Sequence, residues 1–71
     1  MALSAVLIRH AREAAGMTRT ELGAAIGRTE QTIIAYEHGR AVPPTTVVAA
    51  IADTLGVHPG HFFEHEPGTS P

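Results

Sequence analysis

Two helix starts stand only eleven residues apart, at Thr18 and Thr29. Thr18-Arg19-Thr20-Glu21 has the S/T-x-x-E form of a capping box, in which side chain and backbone exchange hydrogen bonds across a first helical turn. Met17 and Leu22 occupy the two positions of a hydrophobic staple around it. Thr29 is a second N-cap, and Glu30 after it suits the positive end of a helix dipole. The spacing predicts one helix from about Arg19 to Ile26. A second runs from Glu30 to about His38 and is closed by Gly39. Only Gly27, Arg28 and Thr29 remain to connect them. A connection that short, with a glycine in it, forces two helices to cross steeply. No other feature of the chain constrains the fold as tightly.

Gly23 and Gly27 serve that crossing. A glycine inside a helix costs roughly 1 kcal/mol relative to alanine, so two glycines only four residues apart need a reason. Gly27 is expected to turn the chain through a left-handed conformation, which is cheap only for glycine. Gly23 lies on the side the next helix crosses, where a near-absent side chain permits close approach. On this reading Gly23→Ala is tolerated or even stabilising, whereas Gly27→Val strains the backbone. Leu22 and Ile26 of the first helix, with Ile33 and Tyr36 of the second, fill the wedge between them. Together these residues form a helix-turn-helix unit.

The flanking segments also read as helix. Ser4 caps a first helix, Leu3 staples onto Ile8, and Ile8, Ala11 and Ala15 follow at helical spacing before Gly16. "AVPP" at 41–44 is a loop. A fourth helix starts near Pro44 or Thr45, with Val48, Ile51, Ala52 and Leu55 in the i, i+3, i+4, i+7 pattern of a core-facing stripe. After Gly56, His58 as a weak cap and Pro59 at the first helical position open a short fifth helix. Phe62 and Phe63 add bulk to the core. The expectation is a compact all-α domain of five helices over residues 1–63, with no strand. Residues 64–71, "EHEPGTSP", are expected to form a flexible tail.

Composition narrows the function. Seventy-one residues suit one small domain of marginal stability. The absence of cysteine removes disulfides and thiolate metal sites and fits a reducing, cytoplasmic setting. No signal peptide or membrane-length apolar run is read in the sequence. The net charge of −2 excludes a strongly basic nucleic-acid binder, but the charge is unevenly distributed. All five cationic residues (Arg9, Arg12, Arg19, Arg28, Arg40) fall before residue 44, while Asp53, Glu64 and Glu66 make the rest acidic. Every cation is arginine, which suits bidentate contact with phosphate or carboxylate.

The run "IRHAREAAGMTRTELGAAIGRTEQTIIAYEHGRAVPP…IADTLGV" resembles the phage-repressor-like, Xre-type (lambda-repressor-like) helix-turn-helix domain over about residues 6–63. The resemblance implies a five-helix DNA-binding domain whose third helix enters the major groove, usually as a dimer on a two-fold operator. Arg12 and Glu37 resemble the family's ion pair between helices 1 and 3. The chain departs from the family where Gly23 replaces a common alanine, Arg28 an aliphatic residue and Arg19 a glutamine.

Site residues follow from that placement. Gln31 is the best candidate base reader, since its amide can pair bidentately with adenine N6 and N7. Thr32 and Ala35 are small enough to touch a thymine methyl, and Glu30 either accepts from cytosine N4 or stabilises the helix start. Ile34 reads as an exposed apolar residue. Arg19, Arg28, Thr29 and Arg40, at helix ends and loops, are expected to contact phosphates. A rival cluster of His58, His61 and His65 with Glu64 and Glu66 lacks HExxH and any cysteine, so neither a metal nor a cofactor is expected. The two serines, Ser4 and Ser70, stand near the ends, and no nucleophile motif appears, so no enzyme is expected.

The expected function is therefore a small repressor-like transcriptional regulator without an effector domain of its own. It acts as a homodimer on palindromic double-stranded DNA, with a dimer surface around helices 4 and 5 and Phe62–Phe63. The alternative is an antitoxin-like or adaptor protein that uses the same fold to bind a protein partner, which the acidic second part favours.

Overall fold

The computed structural model describes residues 2–64. Four α-helices carry the fold: α1 (Ala5–Ala14), α2 (Arg19–Ile26), α3 (Glu30–Glu37) and α4 (Thr45–Leu55). A single 3-10 turn follows at Pro59–Phe62, and two-residue strands β1 (Ala2–Leu3) and β2 (Phe63–Glu64) bracket the helices.

The starts of α1, α2 and α3 are fixed by hydroxyls. Leu7 N donates to Ser4 Oγ at 3.2 Å and Thr32 N to Thr29 Oγ1 at 3.2 Å. The capping box at α2 is reciprocal: Glu21 N donates to Thr18 Oγ1 at 3.0 Å, and Thr18 N donates to Glu21 Oε1 at 2.8 Å. α4 starts on Pro44 instead, without a side-chain cap. Gly27 takes φ +73° between α2 and α3, the left-handed turn its position requires.

α2 packs on both α3 and α4, while α1 packs on α3 and on the 3-10 turn. Ile8, Leu22, Ile33, Ile51 and Phe62 are fully buried at the centre, with Ala11, Tyr36, Val47, Val48 and Ala52 around them. At eight residues, α2 and α3 are too short to persist alone. Their direction is therefore set by this packing, and Ile33 and Tyr36 hold α3 in place from beneath.

Four details correct the sequence reading. Ala15 is exposed, and the buried stripe of α2 is Leu22 with Gly23, Ile26 packing from the edge. The fifth helix is only a four-residue 3-10 turn. Phe63 leaves it in extended conformation, and the Phe62 carbonyl that a longer helix would bond internally instead accepts from Ser4 N at 2.7 Å. The chain is also not free of strand: Ala2 pairs with Glu64 and Leu3 with Phe63 in an antiparallel ladder that Leu3 and Phe63 pin against the core. Glu64, read as the first tail residue, thus takes part in the fold through its backbone, whereas the tail reading for 65–71 lies outside the described residues. Finally, Phe62 is 0% exposed: it is core as expected, and it has no side-chain surface to give to a dimer interface.

Gly23 faces the turn itself. A Cβ built there meets the Arg28 carbonyl oxygen at 2.6 Å and the Thr29 carbonyl carbon at 3.2 Å. Both are backbone atoms of the α2–α3 connection. The close approach that Gly23 permits is with the turn leading into α3, and alanine does not fit it without moving that turn.

Candidate nucleic-acid interface

Residues on a helix advance by about 100° each, so burial of Ile33, Tyr36 and Glu37 turns the line Gln31, Ala35 and His38 outward on α3. Gln31 and His38 are exposed and Ala35 is half-buried. Thr32 and Ile34 flank that line, both half-buried, so Ile34 is less open than its sequence position suggests. Glu30 is exposed about 100° around from Gln31, on the flank nearer Glu37. The Thr29 and Thr32 hydroxyls lie 3.1 Å apart and share a hydrogen bond at the start of the helix.

The arginines differ in how they are held. Arg28 is exposed, and its Nη1 donates to the Gly27 carbonyl at 3.2 Å. Arg40 is exposed just beyond α3, where its amide donates to the Ala35 carbonyl at 2.9 Å and tightens the helix end. Arg12 is buried: its Nε donates to Glu37 Oε2 at 2.6 Å, its Nη2 to Glu37 Oε1 at 3.2 Å and its Nη1 to the Met17 carbonyl at 2.8 Å. One guanidinium thus joins α1, the end of α3 and the link into α2. The exposed Glu13 carboxylate stands 4.0 Å from Arg12 Nη2.

Arg19 enters the same network. Its Nε donates to Glu37 Oε1 at 3.0 Å. The Glu37 side chain has no solvent exposure, that of Arg12 is 10% exposed and that of Arg19 33%. A buried carboxylate at the negative end of α3 is unfavourable by itself. Burial pushes the Glu37 carboxyl up, but the hydrogen bonds from Arg12 and Arg19, with their charges, outweigh it and hold the group below the usual carboxylate range. The hydrogen bond to Glu37 in turn raises Arg12 above the ordinary arginine value, against the opposing effect of burial.

Glu30, Gln31, Thr32 and Ala35 therefore lie on one short helix capped by Thr29, and Arg28 and Arg40 lie in the connections at its two ends. Arg19 is tied to the far end of that helix through Glu37. The sequence reading missed this last link and the place of His38. His38 was legible, seven residues after Gln31 and hence on the same face. The Arg19–Glu37 contact spans 18 residues and leaves no local signal.

His58 and His61 are otherwise engaged. His58 Nδ1 accepts from Gly60 N at 3.0 Å, and the His61 ring stands edge-on to Phe62 with centroids 5.8 Å apart. His65 and Glu66 lie outside the described residues. Among the described residues no three His, Asp or Glu side chains are grouped to hold a metal ion, and no helix is long and apolar enough to cross a membrane.

A left-handed glycine between two short helices packed on each other, with the second presenting an exposed line of residues, defines a helix-turn-helix unit. A family model described as a helix-turn-helix domain matches residues 5–62, and the chain belongs to that family. It is similar to an uncharacterized HTH-type transcriptional regulator of Methanothermobacter thermautotrophicus, 46% identical over 50 residues, covering 70% of this chain and 72% of that protein. A second such regulator, from Sinorhizobium fredii, is 40% identical over 60 residues; the match spans 84% of this chain but only 42% of that protein's length. Among solved structures, the P22 c2 repressor in complex with a synthetic operator superposes with a TM-score of 0.81 at 20% identity, over 93% of this chain and all of that one. At that identity the likeness concerns the fold. Hydroxypropylphosphonic acid epoxidase from S. wedmorenis also superposes, with a TM-score of 0.81 and 28% identity, over 90% of this chain but 36% of the epoxidase chain.

Proposed function

We propose that this chain is a sequence-specific DNA-binding transcriptional regulator, with residues 1–63 as its DNA-binding unit. In this reading α3 docks in the major groove, Gln31 reads a base, Thr32, Ala35 and Glu30 tune the choice, and Arg19, Arg28, Thr29 and Arg40 hold phosphates. The observation that carries it is the outward line of Gln31 and Ala35 on a helix fixed from beneath by Ile33 and Tyr36. A reading helix must be rigidly aimed and yet present free polar groups, and α3 meets both needs. The names of the relatives and the operator complex of the P22 c2 repressor support the same reading.

One helix of this length reads few base pairs, so a homodimer on a palindromic operator, with half-sites about one helical turn apart, supplies the affinity. The epoxidase matches show the same fold within enzyme chains, but they cover about a third of those chains, and we read this domain as non-catalytic. The acidic residues after position 43 favour a second reading, an adaptor or antitoxin-like role toward a protein partner.

Selection of bound sites from random duplexes tests the proposal. The expected result is an enriched two-fold sequence, bound with a steep salt dependence that phosphate contacts impose. No enrichment at low salt, together with a stoichiometric partner protein, overturns it in favour of the adaptor.

A further inference from the structure

Glu37 is one carboxylate shared by two guanidiniums. Arg12 takes both oxygens from the buried side, and Arg19 takes Oε1 from the more exposed side. The three groups together carry one surplus positive charge. Glu13 approaches Arg12 and offsets charge at that end, so the surplus lies toward Arg19, the most exposed of the three. Among the described residues the hydrogen bond of Arg19 runs through Nε alone. A guanidinium is a planar fork, so holding Nε restrains it and leaves the Nη edge to meet an anion.

We propose that Glu37 is a positioning residue for DNA-backbone contact: it presents the Nη edge of Arg19 to a phosphodiester while it locks the end of the reading helix through Arg12. This rests on the DNA-binding reading above. The arrangement gives arginine a purpose at position 19 that a point charge does not meet. Lysine can bind Glu37 or a phosphate there, but it has no second edge with which to bind both in a fixed plane. It also couples two tasks. The carboxylate that sets the end of α3 also sets a cation at the start of α2, so phosphate contact and helix direction share one anchor.

The test measures binding of the full chain to a 20-base-pair duplex of arbitrary sequence over a range of KCl concentrations. Wild type is compared with Arg19→Gln, Arg19→Lys, Glu37→Gln and the Arg19→Gln/Glu37→Gln pair, with circular dichroism recording the folded fraction. Loss of one phosphate contact lowers the slope of log K against log salt by about 0.9. That loss is expected for Arg19→Gln and equally for Arg19→Lys. Glu37→Gln is expected to lower the slope in the wild-type background and to change nothing further in the Arg19→Gln background. An Arg19→Lys protein with wild-type slope and affinity overturns the proposal, since only charge would then matter. A Glu37→Gln protein that binds more tightly also overturns it, because Glu37 would then withhold Arg19 from DNA. If Glu37→Gln unfolds, the comparison of Arg19→Lys with Arg19→Gln decides alone. Wild type that binds no duplex at low salt removes the DNA-binding reading itself, and the positioning role with it. Wild type that binds with Arg19→Gln unchanged removes the positioning role only.

Discussion

Gly23 and Arg28 are fitted to each other across the α2–α3 turn. Arg28 N donates to the Gly23 carbonyl at 2.8 Å, and the Arg28 carbonyl oxygen occupies the space a Gly23 side chain would need, 2.6 Å from where its Cβ would stand. Alanine gains roughly 1 kcal/mol in helix propensity, but crowding of packed atoms costs about 1–3 kcal/mol, and the crowded neighbour here is backbone, which cannot swing aside. Gly23→Ala is therefore expected to lower the melting temperature by several degrees. A thermal melt checks this; an unchanged or raised midpoint would show that the turn yields freely.

Gly27 has the opposite problem. Beyond its own chain neighbours, no heavy atom lies within 4 Å of its would-be Cβ, yet its φ is +73°. The cost of a side chain is conformational and amounts to about 1–2 kcal/mol for ordinary residues. Urea denaturation of Gly27→Val should give a midpoint clearly below wild type, with Gly27→Asn between the two, since asparagine tolerates this region better. Equal midpoints for Val and Asn would argue against backbone strain as the cause.

Arg12 anchors α1 to the end of α3. Removing one partner of a buried pair costs roughly 3–5 kcal/mol because the other charge is left without compensation. Arg19 still holds Glu37 in Arg12→Ala, so a loss near the lower end of that range is expected, measured by denaturant titration. A near-native transition would mean that Arg19 alone satisfies the carboxylate.

The same carboxylate makes stability depend on pH. Its folded pKa lies below the ordinary value of 4.5, so the folded state favours the ionised form. The contribution is fully present above the ordinary value and is lost as pH falls through the lower, folded one. Melting temperature should therefore fall on the acid side of that window, and by less in Glu37→Gln, which has no such proton to gain. Parallel acid profiles for the two proteins would place the acid sensitivity elsewhere.

Gln31 should separate recognition from folding. Gln31→Ala is expected to keep its melting temperature, because the side chain is exposed. Its affinity for the selected operator should drop by about 1–3 kcal/mol, the worth of one bidentate base contact. Equal affinity for operator and for unrelated duplex in the wild type would show that no base is read.

The helices were legible because their signals are local. Ser4, Thr18 and Thr29 each supply an acceptor to an amide three residues on, a distance that any turn of helix guarantees. The stripe from Val48 to Ala52 is equally local, and α4 buries it. Local rules failed at the chain ends. Whether residues after Pro59 continue as helix depends on which group takes the Phe62 carbonyl, and that partner, Ser4, is 58 residues away.

By itself, then, the sequence determined where helices begin, where Gly27 turns them and which side of α3 faces outward, since each rests on spacing within a few residues. Tertiary structure alone decided that the Phe62 carbonyl meets Ser4 and that Arg19 shares Glu37 with Arg12. Those outcomes depend on distances between segments far apart in the chain, and helical periodicity says nothing about such distances until packing has fixed the angle at which the helices cross.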